Sequence, residues 1–345
     1  MIKIVIDTLG ADKGFEEIVK GAVDSLSIKS DFMLILTGDA DAIGKELNKY
    51  DFDKSRIVAE DAKELVSNNE SPTVAIRTKK NSSLVRALEL TKSDPEVVGM
   101  ISAGSTGAVL AGGIFKIGRI KGVLRPALCP LLPTMKGGKV CIIDCGANVD
   151  CRPEYLVQFA LMGNNYMKAC GVENPRVALV SVGTEDKKGN ELTHEVFSRL
   201  KQLPLNFVGN MEARDALSGN YDVLVCDGFV GNVLLKSIEG TASMVMKTMK
   251  KEVMGSFSAK IGALLMKKAL GNLKSAMDYH AFGGAAFLGV EKILIKSHGS
   301  SNAKSVTACV KQVLDLNALK LVDSIKSAIV PSESDKNEAS GNVHD

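Results

Sequence analysis

The chain has 345 residues, 45% hydrophobic and 24% charged, and a net charge of +3. That composition can bury a large core and excludes an intrinsically disordered protein. The near-neutral balance gives no argument for a nucleic-acid partner, so any basic patch must be local.

The chain opens on "MIKIVID", already strand-like, with no basic segment leading into an apolar signal core. It has no apolar run of about eighteen residues, so no membrane span is expected. Its seven cysteines form no CxxC pair. Cys141 and Cys145 share one face of an expected strand, without further ligands at zinc spacing, and read as buried thiols. Reduced cysteines suit the cytoplasm.

In chain order, strands are expected at 2–6, 32–37, 56–59, 97–101, 139–143, 176–182, 206–209 and 222–226. Most are continuously apolar, as strands covered on both faces are. Helical patterns alternate with them, as in "FEEIVKGAVDSL", "PEYLVQFALMGNNYMKAC" and "ELTHEVFSRLKQL". This is an α/β protein with a mostly parallel sheet, read as one large catalytic domain over residues 1–330.

The loops after the strands read "DTLGAD", "GDAD", "SAGSTGA", "DCGANVD", "GTEDKKGNE", "GNMEARD" and "DGFVGN". In a parallel sheet these carboxyl ends share one edge, where ligands bind. In "SAGSTGA", Gly104 and Gly107 permit a tight turn, and Ser105 or Thr106 is placed to cap the helix that follows. Its amides would then face an anion. In "DGFVGN", Asp227 ends a strand, Gly228 and Gly231 permit the turn, Asn232 is a candidate cap, and Lys236 lies one turn in. His298, in "KSHGSSN", sits in a turn beside Gly299 and two serines. No GxGxxG follows a strand, no Walker loop is present, and no GxSxG elbow supplies a nucleophile. Anion-binding loops without a protein nucleophile suit a reaction in which the bound anion itself attacks.

Residues 251–280 differ from the rest. Phe257, Ile261, Leu264, Leu265, Leu270, Leu273 and Met277 recur at helical spacing, interleaved with Lys260, Lys267, Lys268 and Lys274. This protruding basic amphipathic segment packs on the core or a second subunit, or rests on anionic lipid. The tail 331–345 is polar and aperiodic, and disorder is expected there.

Several stretches together resemble the bacterial phosphate acyltransferases (acyl-ACP:phosphate acyltransferases) of phospholipid synthesis. They are "SAGSTGA", "KKNSSLVRALEL", "GRIKGVLRPAL", "DCGANVD", "PEYLVQFALMG", "VGTEDKKGNEL", "DGFVGNVLLKSIEG", "GGAAFLGV" and "HGSSNAKSV", in family order over about residues 1–315. The sequence departs from the family pattern at Ala11, where a glycine is usual, at Ser105 for Asn, and at Phe282 for Tyr. The resemblance implies a three-layer α/β/α fold similar to phosphotransacetylases and isocitrate-dehydrogenase-like proteins. It implies transfer of a long-chain acyl group from acyl carrier protein to inorganic phosphate. No metal or nucleotide cofactor is implied, and the protein would be a homodimer on the cytoplasmic membrane surface.

On that reading Lys187 and Lys188 neutralise phosphate or the oxyanion, with Glu185 and Asp186 positioning them or binding loop amides. Asp227 orients phosphate, Asn148 and Asn232 donate hydrogen bonds, and Ser102 and His298 are second-rank candidates. "RIKGVLR" (119–125) and the lysines of 260–274 would dock the acidic carrier. Three rivals remain open from sequence: a phosphotransacetylase-like enzyme using acyl-CoA, an NAD(P)-dependent dehydrogenase of related fold, and a non-catalytic acyl-carrier binding protein.

Overall fold

The computed structural model describes residues 1–67, 69–276 and 282–329. The tail 331–345, Met277 and the side chain of Lys274 lie outside the described residues. The first part of the chain runs β1 (Ile2–Asp7), α1 (Phe15–Ser25), β2 (Phe32–Gly38), α2 (Ala40–Leu47), β3 (Ile57–Asp61), α3 (Pro72–Thr78), α4 (Ser83–Ser93), β4 (Val97–Ser102), α5 (Thr106–Gly112), β5 (Ala127–Cys129), β6 (Leu131–Pro133) and β7 (Lys139–Ile143). It continues with α6 (Pro153–Ala169), β8 (Arg176–Ser181), α7 (Glu191–Leu200), β9 (Asn206–Glu212), β10 (Val223–Val225), α8 (Gly228–Gly255), α9 (Phe257–Leu265), α10 (Lys267–Ala276), β11 (Ala285–Leu288), β12 (Ile293–Lys296), α11 (Ala303–Ala318) and α12 (Leu321–Ala328).

All eight expected strands form. β5, β6, β11 and β12 span three or four residues each, too short for a periodic signal. The strands divide between two sheets rather than one, ordered β3-β2-β1-β4-β12-β11-β5 and β6-β7-β10-β8-β9. β11 pairs antiparallel with both β12 and β5 at one end of the first sheet, and β6 pairs antiparallel with β7 at one end of the second. Every other pairing is parallel. The chain leaves the first sheet at Cys129 and enters the second at Leu131. Pro130 stands between them, and it has no N–H to continue a ladder.

Period-two alternation explains the layers. Ile4 and Ile6 of β1 join the core beneath α1 and α11, whereas Val5 joins the core beneath α4. Cys141 and Ile143 of β7 likewise face α6, with Val140 and Ile142 turned the other way. All seven cysteines are free, and only Cys151 and Cys170 are even partly exposed. α8 is anchored by Gly228, Gly231, Leu234 and Leu235 and buries nothing beyond them. α9 packs on α8, and α10 on α9. Among the described residues, no helix is long and apolar enough to cross a membrane.

Candidate active site

The carboxyl ends of β1, β4 and β12 place Asp7, Ser102 and Lys296 in register across three neighbouring strands. Asp7 is buried. Its carboxylate accepts hydrogen bonds from Ser83 Oγ (2.6 Å), Ser102 Oγ (2.7 Å) and the Leu9 amide (3.2 Å). Burial pushes its carboxyl up from the usual range, against the pull of those hydrogen bonds. Ser102 Oγ accepts in turn from Gly104 N (3.1 Å). The β1 and β4 loops touch here: a Cβ on Gly10 would lie 2.7 Å from the Gly104 Cα. Positive φ falls on Gly10 (90°), and Ala11 lies outside that region, so the departure at Ala11 carries no backbone strain.

Lys296 Nζ donates to the carbonyls of Ala103 (3.2 Å) and Ser297. An ammonium has three donors, and the third makes no hydrogen bond among the described residues. Burial pulls the amine down to about 8, partly offset by nearby Asp7 and Asp12. His298 Nδ1 accepts from the Ser300 amide (3.1 Å), which puts the neutral ring's proton on Nε2.

The second sheet contributes a loop built on Asp144, which is buried at the end of β7. Its carboxylate accepts from the amides of Leu128 (2.8 Å), Ala147 (3.3 Å) and Asn148 (2.6 Å), and from Asn148 Nδ2 (3.0 Å). Desolvation pushes the Asp144 carboxyl up, and these bonds oppose it. Asn148 also donates to Pro126 O (2.8 Å), while its carbonyl accepts from Gly228 N (2.7 Å). α8 can approach this loop only because Gly231 has no side chain. A Cβ there would lie 1.9 Å from the Asp144 carbonyl oxygen.

Between the two sheets lies a cleft of about 290 Å³. Thr106, Gly146, Asn232, Lys236, Lys296 and His298 line it. Four loops from both sheets therefore converge, and four residues expected from sequence meet there: Thr106, Asn232, Lys236 and His298. Lys236 pairs with Glu239 at 2.7 Å on the same wall. Lys296 and Gly146 are the additions. Lys296 stands two residues before the His298 turn, at the end of a four-residue strand with no sequence signal of its own.

Other expected residues take different places. Asn232 does not cap α8. The helix starts earlier, because the Asp227 carboxylate accepts from Val230 N (2.8 Å), and Asn232 is already inside it. Ser105 occupies the cap position of α5 without a side-chain cap bond. Gly107 admits Pro72, whose Cγ would be 2.9 Å from a Cβ there. Ser102 is fully buried with its hydroxyl on Asp7, and Asn148 spends its side-chain amide donors on Asp144 and on Pro126 O.

The "GTEDKKGNE" loop borders a separate cleft of about 380 Å³, lined by Gly189, Asn190, Asp227 and Val230 among others. Glu185, Asp186, Lys187 and Lys188 are all exposed. Asp186 pairs with Lys201 at 2.7 Å, and the Glu185 carbonyl accepts from Asn210 Nδ2 at 2.9 Å. Lys187 and Lys188 make no ion pair among the described residues. The first two turns of α8 thus divide the expected site between two clefts.

A third groove, of about 870 Å³, gathers Arg119, Lys121, Arg125 and Arg152 around Tyr155. The Arg152 and Arg125 guanidinium carbons lie 4.9 and 5.7 Å from the centre of the Tyr155 ring. The groove ends at Pro126, two residues before Leu128 enters the central cleft.

Comparison with known proteins agrees with this architecture. A phosphotransacetylase from Streptococcus pyogenes aligns over 93% of this chain and 94% of its own, with a TM-score of 0.59 at 16% identity. A branched-chain phosphotransacylase from Enterococcus faecalis V583 aligns over 91% and 98%, with a TM-score of 0.58 at 13% identity. These likenesses establish the fold. In sequence, the family described as "Fatty acid synthesis protein" matches residues 2–322. The "Phosphate acyltransferase" of Clostridium novyi is 48% identical over 329 residues, 95% of this chain and 98% of the relative. That of Bacillus cereus is 44% identical, again over 95% of this chain and 98% of the relative. Identity of that extent, together with the family match over residues 2–322, makes this chain a member of the phosphate acyltransferase family, and so an acyltransferase.

Proposed function

We propose that this enzyme transfers a long-chain fatty acyl group from acyl carrier protein to inorganic phosphate, releasing acyl phosphate. The convergence of Lys296, Lys236, His298, Asn232 and Thr106 on one cleft carries this reading. A phosphate oxygen attacks the thioester carbonyl carbon. The C–O bond forms, the C–S bond breaks, and the proton of the phosphate ends on the departing thiolate. A thiol pKa of about 8.5 makes sulfur a competent leaving group without a strong acid. No protein nucleophile is required. Alignment of the two reactants is worth roughly 7–11 kcal/mol, and each well-placed oxyanion donor about 3 kcal/mol.

Lys296 and Lys236 supply the cations for phosphate. Asn232 and Thr106 supply donors, and His298 lines the same wall. Asp144, Asn148, Asp7 and Ser102 hold the loops in place. The exposed Lys187 and Lys188, with Asp227 on the neighbouring cleft, serve phosphate entry. The basic groove at Arg119–Arg152 takes the acidic carrier protein, since it lies next to the cleft and concentrates one sign of charge.

The test is purified enzyme with phosphate and either palmitoyl-ACP or palmitoyl-CoA, trapping acyl phosphate as the hydroxamate. Hydroxamate forming at least tenfold faster from the carrier substrate is expected. Equal or greater turnover of the CoA ester favours a phosphotransacetylase-like donor, and none from either rejects the reading.

The exposed face of α9 and the start of α10 supports a membrane role for the same enzyme. Phe257, Leu264 and Leu265 are 79%, 70% and 84% exposed, beside exposed Lys260, Lys267 and Lys268. Leu264→Glu is expected to remove most flotation on anionic vesicles. Unchanged flotation with loss of the dimer in sedimentation assigns the face to a second copy instead.

A further inference from the structure

On the far side of the central cleft lies a groove of about 570 Å³ between the end of α6, the start of β11 and α11. Leu131 and Phe282 line both spaces. Beyond them the groove is walled by Ala169, Ala308, Leu316 and Leu319. We propose that this groove holds the hydrocarbon chain of the acyl donor, with Phe282 and Leu131 at the junction where the thioester meets phosphate. The proposal rests on the acyl-transfer reading above.

The polar groups of Gln312, Lys311 and Asp315 in its wall are already satisfied. Gln312 Nε2 donates to Tyr166 Oη (2.8 Å) and Gly284 O (3.1 Å), and its Oε1 accepts from Gly284 N (2.9 Å). Lys311 is paired with Asp315. Lys139 is a half-buried long side chain able to keep its charge in water. Burial pushes the Cys170 thiol up to about 11, so it stays neutral. A ligand that needed hydrogen bonds would find few partners, whereas methylenes need none. Small residues at 169, 308 and 318 leave the width that a flexible chain requires.

Gln312 also fixes the junction. Gly283 has φ 99°, and a Cβ there would lie 2.3 Å from Gln312 Oε1. Gln312 thus holds Gly284, two residues after Phe282, at both N and O.

The experiment compares palmitoyl-ACP with butyryl-ACP in the hydroxamate assay, for wild type, Ala308→Trp and Leu319→Glu. Leu319 is 55% exposed, so its replacement leaves packing intact. Each methylene kept from water is worth about fourfold, so displacing two lowers kcat/KM about sixteenfold. The palmitoyl value is expected to fall about tenfold or more in both variants, while the butyryl value stays within about twofold. A palmitoyl-to-butyryl ratio unchanged in both active variants overturns the groove assignment. Wild-type enzyme that turns over neither donor overturns the acyl-transfer reading, and the occupant of the groove with it.

Discussion

Replacing Lys296 by methionine is expected to lower kcat by about 10²–10³-fold, the loss typical of one electrostatic donor in a water-poor site. Folding should survive. A methionine of similar length fills the same space and removes a desolvated ammonium, but it leaves the Ala103 and Ser297 carbonyls without their donor. The two effects oppose each other, and the variant should remain folded at assay temperature. The pH profile supplies a second test. Burial pulls this amine down to about 8, so it is an ammonium below that pH and a neutral amine above it. If the cation holds phosphate, wild-type kcat/KM for phosphate falls as pH rises through about 8. Lys296→Arg keeps its charge throughout that range and should abolish the fall, even at reduced activity. A methionine variant within about threefold of wild type, or an arginine variant with the same alkaline fall, removes Lys296 from phosphate binding.

Lys296 also shows where sequence reading stops. The fold was legible because the long strands are apolar throughout and end in loops rich in Gly and Asp; β1, β4, β7 and β8 announce themselves this way. β12 does not. It has four residues and reveals its place only by pairing with β4, some two hundred residues earlier in the chain, and a local periodicity has no access to that contact. His298 was found because glycine and serines surround it, although Lys296 two residues earlier lies on the same cleft. "GTEDKKGNE" presented the opposite case. Its charges are conspicuous in sequence, yet the loop projects into solvent beside a second cleft. Asn232 lines the central cleft, but in a different setting from the one expected. A favoured cap type drew attention to it, while Asp227, five residues earlier, had already started the helix. Composition and loop chemistry thus located the sheet edge. The division between two sheets, set by the short strands on either side of Pro130, decided which loops share a cleft.

Asp144→Ala should cost about 3–5 kcal/mol of stability, because one carboxylate organises four donors and its loss orphans them together. Leu128 and the Asp144 site are buried, so water has limited access to replace those bonds. Asp144→Asn retains the shape and one acceptor oxygen. It also turns an NH2 group toward amides that need an acceptor, so an intermediate loss is expected. Differential scanning calorimetry should rank the melting temperatures wild type, then Asn, then Ala. An alanine variant melting within about one degree of wild type contradicts the role given to the carboxylate. Activity should fall further than stability alone explains. The loop that Asp144 holds places Gly146 in the cleft wall and offers the Asn148 carbonyl to Gly228 N, which fixes the start of α8. Asn232 and Lys236 ride on that helix. Measured well below the melting transition, where each variant is folded, the alanine enzyme should therefore show a raised KM for phosphate as well as a lowered kcat. Loss of the loop's position would shift Asn232 and Lys236 in the cleft wall, where phosphate is proposed to bind.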